Sequence, residues 1–209
     1  MSPGSSSVFN SLVRLRQFGH NRRAVESCGF CAAELPQGHE HLLEIATRKM
    51  ECVCRGCAIL FTNQGQKYQR VPRRVRVLED LRMTDAQWEA LGIPIGMAFL
   101  FYSSRDKKTV ALYPSPGGPI ESLLPLGAWE EIANDHPQLR EMKPDVEGLL
   151  IHRIGSARDY YLIPIDECFK LVGIIRTHWK GISGGYTVWE QVGTFLSALK
   201  QNAQSEFHN

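Results

Sequence analysis

The sequence lacks any apolar stretch long enough to cross a membrane. A transmembrane helix needs roughly 18 consecutive apolar residues, and no run approaches that length. The opening residues, MSPGSSSVFN, also lack the basic segment and the apolar core of a secretory signal. We therefore expect a cytoplasmic protein with no membrane insertion.

Motifs that bind nucleotides or support hydrolysis are also missing. Neither the phosphate-binding pattern G-x-x-x-x-G-K-[ST] nor the dinucleotide pattern G-x-G-x-x-G occurs, and the histidines do not form the H-E-x-x-H helix of metalloproteases. No Ser/His/Asp arrangement or catalytic pair of carboxylates is recognisable. The sequence therefore favours a non-enzymatic protein and leaves the question of an enzyme open.

Charge of one sign is not in large excess, because the formal net charge is only +2. The first 82 residues are mildly basic and the remainder is net negative. Nucleic-acid-binding domains usually carry a stronger basic surface, so nucleic acid is an unlikely partner. Five arginines still leave a zinc-ribbon nucleic-acid-binding protein as an alternative: Arg55, Arg70, Arg73, Arg74 and Arg76. Aromatic residues among them are sparse, with only Phe61 and Tyr68 nearby.

The cysteines that the chain does have are clustered. Five of the six lie between Cys28 and Cys57, and they include two C-x2-C pairs. Two such pairs have the spacing of a four-thiolate metal site. In a reducing compartment, clustered cysteines favour metal ligation over disulfide formation. We predict a structural zinc site that stabilises a small module. Its ligands are Cys28, Cys31, Cys54 and Cys57.

Three nearby residues leave the ligand set and the metal open. Cys52 could replace Cys54 as a ligand or remain a spare thiol, and His39 or His41 could also be ligands. Thiolates also suit iron or an iron–sulfur cluster, and a fifth cysteine keeps that option open. An iron-containing redox or electron-transfer accessory protein is therefore the alternative to structural zinc.

The rest of the sequence predicts an α+β fold, in which a zinc-ribbon-like four-cysteine module precedes a mainly antiparallel sheet with packed helices. Apolar runs joined by turn residues predict hairpins at 96–113 and 148–163, and a strand with a basic face at 68–78. The predicted divisions are an N-terminal arm or helix at 1–20, the metal-binding module at 21–80, an α+β domain at 81–203 and a tail at 204–209.

Capping residues predict helices in the second domain. Thr84 can cap a helix over 85–91, Asp166 can cap the next-to-last helix, and Thr187 can cap the last one. A further helix at 129–142 should break at Pro137, because proline has no backbone N–H to donate.

Five residues of the second domain are candidates for a pocket or an interaction surface: Glu121, Asp166, Cys168, His178 and Trp179. Cys168 lies in the first turn of a predicted helix, where a thiol pKa falls, but neighbouring carboxylates oppose that effect. A buried structural cysteine is the favoured interpretation. His178 and Trp179 precede a glycine-rich loop, so they could form a partner surface or pack at the end of a helix.

Short motifs beside the cysteine pairs carry a resemblance to a known family. They are HEHLL at 39–43, ALGIP at 90–94, YPSPG at 113–117, ESLLPL at 121–126, YLIPIDEC at 161–168, and WKG at 179–181 with GG at 184–185. Over roughly residues 12–200, the chain resembles an uncharacterised bacterial family associated with gene clusters for nickel–iron uptake hydrogenases. The resemblance implies no catalytic residue, because that family has no assigned activity. It implies an accessory factor whose protein partner is a hydrogenase subunit or a maturation factor.

Overall fold

The computed structural model describes residues 26–62, 67–122, 126–181 and 184–206. The predicted N-terminal arm, the first residues of the predicted module and the end of the predicted tail lie outside these ranges. The described residues form helices and two antiparallel sheets, which confirms the predicted α+β class. Among the described helices, none has both the length and the apolar character needed to span a membrane.

The first sheet belongs to the cysteine-containing module, residues 26–70. Its three strands have the order β2–β1–β3, and both pairings are antiparallel. A helix, α1, follows β2 directly. The bounds are Glu40–Glu44 for β1, Lys49–Val53 for β2, Arg55–Thr62 for α1 and Tyr68–Arg70 for β3. No helix was predicted from the sequence at residues 55–62.

The start of α1 shows why this helix was missed. The Sγ atom of Cys54 accepts the N–H of Cys57 at 3.4 Å, and the carbonyl oxygen of Cys54 accepts the N–H of Ala58 at 2.9 Å. Cys54 therefore satisfies donors that a helix start leaves without partners. Residues recognised as helix caps are Ser, Thr, Asp and Asn, so a cysteine in this position gave no signal.

The predicted strand at 68–78 is divided between the two sheets. β3 ends at Arg70, and the chain resumes extended pairing only at Arg76, in the larger sheet. Pro72 lies in the interruption, and proline cannot donate to a strand ladder. Val71 and Val75 are buried in the same core as Leu43 of β1 and the helices of the larger sheet. This segment therefore connects the module to the body, residues 76–206, and the domain boundary at 80–81 stays a prediction.

The second sheet forms the centre of the body, with the strand order β4–β9–β8–β5–β6–β7. Successive side chains of its central strands enter opposite faces. Phe99 and Leu150 belong to one core, whereas Leu100 and Leu149 belong to the other. The two predicted hairpins are confirmed as β5–β6 and β8–β9. The bounds are Arg76–Val77 for β4, Met97–Ser103 for β5, Lys108–Ser115 for β6, Gly118–Glu121 for β7, Glu147–His152 for β8 and Asp159–Pro164 for β9.

Helices cover both faces of this sheet. Residues of α2 and α3 pack on one face, and residues of α4 and α5 pack on the other. The predicted break at Pro137 is confirmed, because α3 ends at Asp135 and a 3-10 helix begins at Pro137. The bounds are Asp85–Ala90 for α2, Leu126–Asp135 for α3, Pro137–Glu141 for the 3-10 helix, Ile165–His178 for α4 and Tyr186–Glu206 for α5.

One of the three predicted caps is confirmed. Thr84 forms a capping box with Gln87 at the start of α2. The other two caps were wrong. α4 begins at Ile165, so Asp166 lies inside its first turn, and α5 begins at Tyr186, before Thr187. Asp166 instead directs a carboxylate oxygen to a residue of the module.

Candidate metal centre

Four cysteines meet where the module's first turn approaches the start of α1. Cys28 and Cys31 lie in the turn before β1, whereas Cys54 and Cys57 lie at the junction of β2 and α1. The four Sγ atoms lie within 4.8 Å of one another, and those of Cys31 and Cys54 are 3.7 Å apart. A tetrahedral zinc ion with sulfurs at about 2.3 Å has sulfur–sulfur distances of about 3.8 Å. The four predicted ligands can therefore surround one ion.

The backbone holds the first cysteine pair in a tight turn. The N–H of Ala32 donates to the carbonyl of Cys28 at 2.9 Å, and the N–H of Cys28 donates to the carbonyl of Ala33 at 2.8 Å. Ala32 has a φ of 58°, in the left-handed region that residues other than glycine rarely adopt. The N–H of Gly29 donates to the carbonyl of Cys52 at 2.9 Å, which fixes the turn against β2.

The thiols of the cluster have opposite electrostatic environments. Burial raises the pKa of Cys28, but backbone N–H groups of Cys54 and of the turn outweigh burial and lower that pKa from 9.0 to about 6. Burial raises the pKa of Cys57 to about 12, and hydrogen bonds with the other three thiols act in the same direction. Four adjacent thiolates repel one another, and a divalent cation removes that repulsion because it binds sulfur in the thiolate form.

An aromatic cluster packs within the module around the site. The ring of Phe30, from the first turn, lies 4.3 Å from that of Phe61 on α1 and 5.3 Å from that of Tyr68 on β3. Cys28 and Cys57 are buried, while Cys31 is exposed to solvent. The site is thus closed on its protein side, where Cys28 and Cys57 lie, whereas Cys54 is partly exposed and Cys31 is exposed to solvent.

The three alternate ligands form a second group of their own. His41 of β1 and Cys52 of β2 are direct cross-strand partners, and His39 lies two residues before His41 on the same side of the chain. Their ligand atoms lie within 4.8 Å of one another, and the two Nε2 atoms are 3.2 Å apart. Counting residues back along both strands from the turn between Glu44 and Lys49 would have predicted that His41 pairs with Cys52.

Asp166 and Cys168, both on α4, have different environments. Oδ2 of Asp166 is 2.7 Å from Nδ1 of His41, a contact between residues 125 positions apart. The thiol of Cys168 is fully buried, and burial raises its pKa well above 9.0. The sequence therefore missed the role of Asp166 because its partner is distant along the chain, and Cys168 has the environment of an inert core thiol.

The remaining candidates lie in separate surroundings. Glu121, on β7, forms an exposed ion pair with Lys108 at 3.0 Å. Nδ1 of His178 donates to the carbonyl of Ile174 at 2.9 Å, as expected at the end of a helix. The ring of Trp179 packs against the body's core and lies 6.1 Å from that of Trp189. The structure does not bring these three residues together with either cysteine group.

The arginines of the predicted basic strand are paired with carboxylates. Arg70 binds Glu40 through Nε at 2.9 Å and Nη2 at 2.8 Å. Arg74 binds the buried Glu147 through Nε at 2.7 Å and Nη2 at 3.2 Å. Two further ion pairs join Arg73 to Glu40 at 3.4 Å and Arg76 to Glu141 at 3.1 Å. These contacts stabilise the fold and account for the arginines without a nucleic acid.

Comparison with known proteins gives one match. The model of a family of unknown function (DUF5947) matches residues 27–203, a range that includes both cysteine groups and almost all of the body. No curated protein and no solved structure matches the chain.

Proposed function

We propose that this chain, which belongs to a family of unknown function (DUF5947), is a metal-binding accessory protein with structural zinc in its four-cysteine site. One observation carries the proposal: four Sγ atoms lie within 4.8 Å of one another, with one pair at the separation expected around tetrahedral zinc. Four protein thiolates leave no coordination position for water or substrate, so this site favours a structural role over catalysis.

The position of the cysteines shows what the ion would stabilise. It would join the turn before β1 to the start of α1, and it would thereby close the β1–β2 hairpin between them. Clustered thiols that bind metal instead of forming disulfides are typical of reducing compartments, which supports a cytoplasmic location.

Elemental analysis of the purified chain tests the zinc proposal. We expect zinc in the wild-type protein and the loss of one equivalent in a Cys28→Ser, Cys57→Ser double variant. A Cys168→Ala variant is the matched control, because that thiol lies in the body's core and should leave the metal content unchanged. A double variant that binds as much metal as the wild type would contradict the proposal.

An iron or iron–sulfur redox protein is the second candidate. It is favoured by the same all-thiolate ligand set, since iron centres also bind four cysteines. Cys52, which the sequence offered as a fifth thiolate, lies with the histidines. Visible absorption of anaerobically purified protein separates the candidates, because an iron–thiolate centre is coloured and zinc is not.

We further propose that the partner is a protein, namely a subunit or maturation factor of a nickel–iron hydrogenase. The resemblance noted in the sequence supports the partner's identity. Exposed apolar side chains on the cysteine-anchored helix α1 support a protein contact, since Ile59 is 53% exposed and Leu60 is 55% exposed.

Co-expression with hydrogenase subunits and maturation factors, one at a time, tests this partner. We expect one of them to co-purify with the wild-type chain and to be lost from an Ile59→Asp, Leu60→Asp variant that keeps its zinc. Co-purification that the variant leaves unchanged would rule out this face of α1. The absence of any complex would contradict the proposed partner.

Nucleic-acid binding is the weakest candidate, because four of the five arginines that suggested it bind carboxylates of the chain. We expect no mobility shift of DNA or RNA, even at low salt, where electrostatic binding is strongest.

A further inference from the structure

A second set of metal-ligating side chains lies where the module meets the body. His39 and His41 come from the chain entering β1, and Cys52 comes from the neighbouring β2. A residue of the body, Asp166 at the start of α4, contacts this group. Because none of these residues belongs to the four-cysteine cluster, a metal ion bound here would be separate from the proposed structural zinc.

Hydrogen bonds determine which nitrogen of each ring carries the hydrogen. Nδ1 of His41 lies 2.7 Å from the carboxylate of Asp166, and Nδ1 of His39 lies 3.2 Å from the carbonyl of Pro36 and 3.4 Å from the carboxylate of Glu26. A carbonyl and an ionised carboxylate can only accept. Each Nδ1 therefore donates, and the Nε2 atom of each neutral ring keeps its lone pair.

The two lone pairs face each other across a short distance. The Nε2 atoms of His39 and His41 are 3.2 Å apart, so two uncharged rings would repel each other unless a cation lay between them. Two imidazole nitrogens bound to a tetrahedral metal at about 2.0–2.1 Å are separated by about 3.3 Å. The observed separation matches two nitrogens that share one ion.

Cys52 supplies a third ligand of suitable chemistry. Its Sγ lies within 4.8 Å of the ligand nitrogens of both histidines. Imidazole together with thiolate selects borderline transition metals over calcium or magnesium.

We propose that His39, His41 and Cys52 form a second metal site, which binds a divalent first-row transition-metal ion through two Nε2 atoms and one Sγ atom. Zinc is the simplest occupant of such a site. Asp166 is a positioning residue, because a carboxylate bound to the other nitrogen of a ligating histidine orients the ring and raises its basicity.

Three protein ligands leave the fourth position of a tetrahedral ion open. A cleft of about 240 Å³ is lined by His39, His41 and Asp166, together with Arg73 of the connecting segment. Water or a small ligand can therefore reach the ion from solvent. The second site is thus suited to ligand exchange, unlike the four-thiolate site.

Metal stoichiometry tests the proposal. We expect Cys52→Ser and His41→Asn each to lose one equivalent of zinc relative to the wild-type chain. His152→Asn is the matched control, because His152 forms a similar strand histidine–aspartate pair, with Nδ1 3.1 Å from Asp159, and belongs to neither cysteine group. Unchanged stoichiometry in Cys52→Ser and His41→Asn overturns the second site, whereas loss of metal only in the Cys28→Ser, Cys57→Ser variant supports the four-cysteine site alone.

Cobalt(II) gives a readout of the ligands themselves when it is added to protein that keeps zinc in the four-cysteine site, after a weak chelator has removed metal from the open second site. We expect visible bands of tetrahedral cobalt and a thiolate-to-cobalt charge-transfer band that disappears in Cys52→Ser. Asp166→Asn should retain the spectrum and weaken affinity on the order of 10–100-fold, as expected for a positioning residue. No new absorption in the wild type, or a charge-transfer band that persists in Cys52→Ser, overturns the proposal, and a proton shared by the two rings then explains their contact.

Discussion

The module and the body are stabilised in different ways. Among its described residues, the module has a core of its own with six buried side chains, two of which are the candidate ligands Cys28 and Cys57. The body buries large apolar side chains on both faces of a six-stranded sheet. A buried aliphatic or aromatic side chain contributes about 1.5–3 kcal/mol, while ordering each residue costs about 1–2 kcal/mol. The comparison supports the proposed metal site, because an ion bound there would supply stability that the small core of the module does not.

Removal of the metal should produce the largest difference in stability between the module and the body. We expect chelation, or the Cys28→Ser, Cys57→Ser double variant, to unfold the module, since structural zinc contributes on the order of 10 kcal/mol. The chain's four tryptophans, at positions 88, 129, 179 and 189, all lie in the body, so their fluorescence reports on the body alone. Hydrogen exchange of residues 26–70 reports on the module. If the tryptophan signal were lost at the same time as the module's protection from hydrogen exchange, the body would also depend on the metal.

The next largest effect on stability is expected in the segment that connects the two regions. Arg74 lies in the segment that connects the module to the body, and it binds Glu147, whose side chain is only 1% exposed. We expect Arg74→Met to lower the free energy of unfolding by about 3–5 kcal/mol, because it leaves a buried carboxylate without its partner. Lys108→Met is the control, since the Lys108–Glu121 pair is half exposed and such pairs contribute little. Equal midpoints of urea unfolding for the two variants would contradict this expectation.

Close packing of the body gives a smaller effect. A Cβ atom added at Gly148 would lie 3.2 Å from the Sγ of Cys168 and 3.4 Å from the carbonyl oxygen of Leu100. We expect Gly148→Ala to destabilise the body by about 1–3 kcal/mol through overpacking. Gly173→Ala, in α4 with no atom within 4 Å of the added carbon, should instead stabilise it by about 0.5–1 kcal/mol. Thermal unfolding followed by tryptophan fluorescence measures both, and equal shifts in the two variants would contradict tight packing at Gly148.

Acid should distinguish the two regions by the order in which they respond. Burial opposes the charge of Asp159, but hydrogen bonds from Lys200 and His152 outweigh it and lower the pKa of this carboxyl below 3.8. A depressed folded pKa gives stability that is present above the ordinary pKa and lost as the pH falls below it. Protons compete with metal for thiolates at higher pH, so the module should respond first.

A pH titration with a metal indicator and tryptophan fluorescence checks this order. We expect metal release before any change in the body, and a small destabilisation by Lys200→Met that is present at neutral pH and disappears at a pH below about 4. Simultaneous transitions of both signals, or an effect of Lys200→Met that is independent of pH, would contradict this assignment.

Features that depend on neighbouring residues were predictable from the sequence. The hairpins follow from apolar runs and turns, the start of α2 follows from Thr84, and the end of α3 follows from Pro137. The spacing of the cysteine pairs alone predicted which four would come together. Each of these signals acts within a few residues, or through the characteristic spacing of paired cysteines.

Features that depend on distant contacts were not predictable. The basic strand was recognised from its arginines, but the partner of Arg74 is Glu147, on a strand that follows much later in the sequence. Asp166 looked like a helix cap because caps and first-turn acids share the same residue types. Only the fold shows that its carboxylate contacts His41 instead.

The His41–Asp166 hydrogen bond can form only late in the synthesis of the chain. Both histidines and Cys52 leave the ribosome long before Asp166 has been translated, because domains emerge and fold from the N-terminal side. The carboxylate that positions the ring of His41 is in place only after β9 has joined its sheet and α4 has begun. A chain that ended before residue 166 would have the three proposed ligand side chains without the carboxylate that positions His41. Tight metal binding at the proposed second site would then indicate that the chain had been synthesised and folded beyond α4.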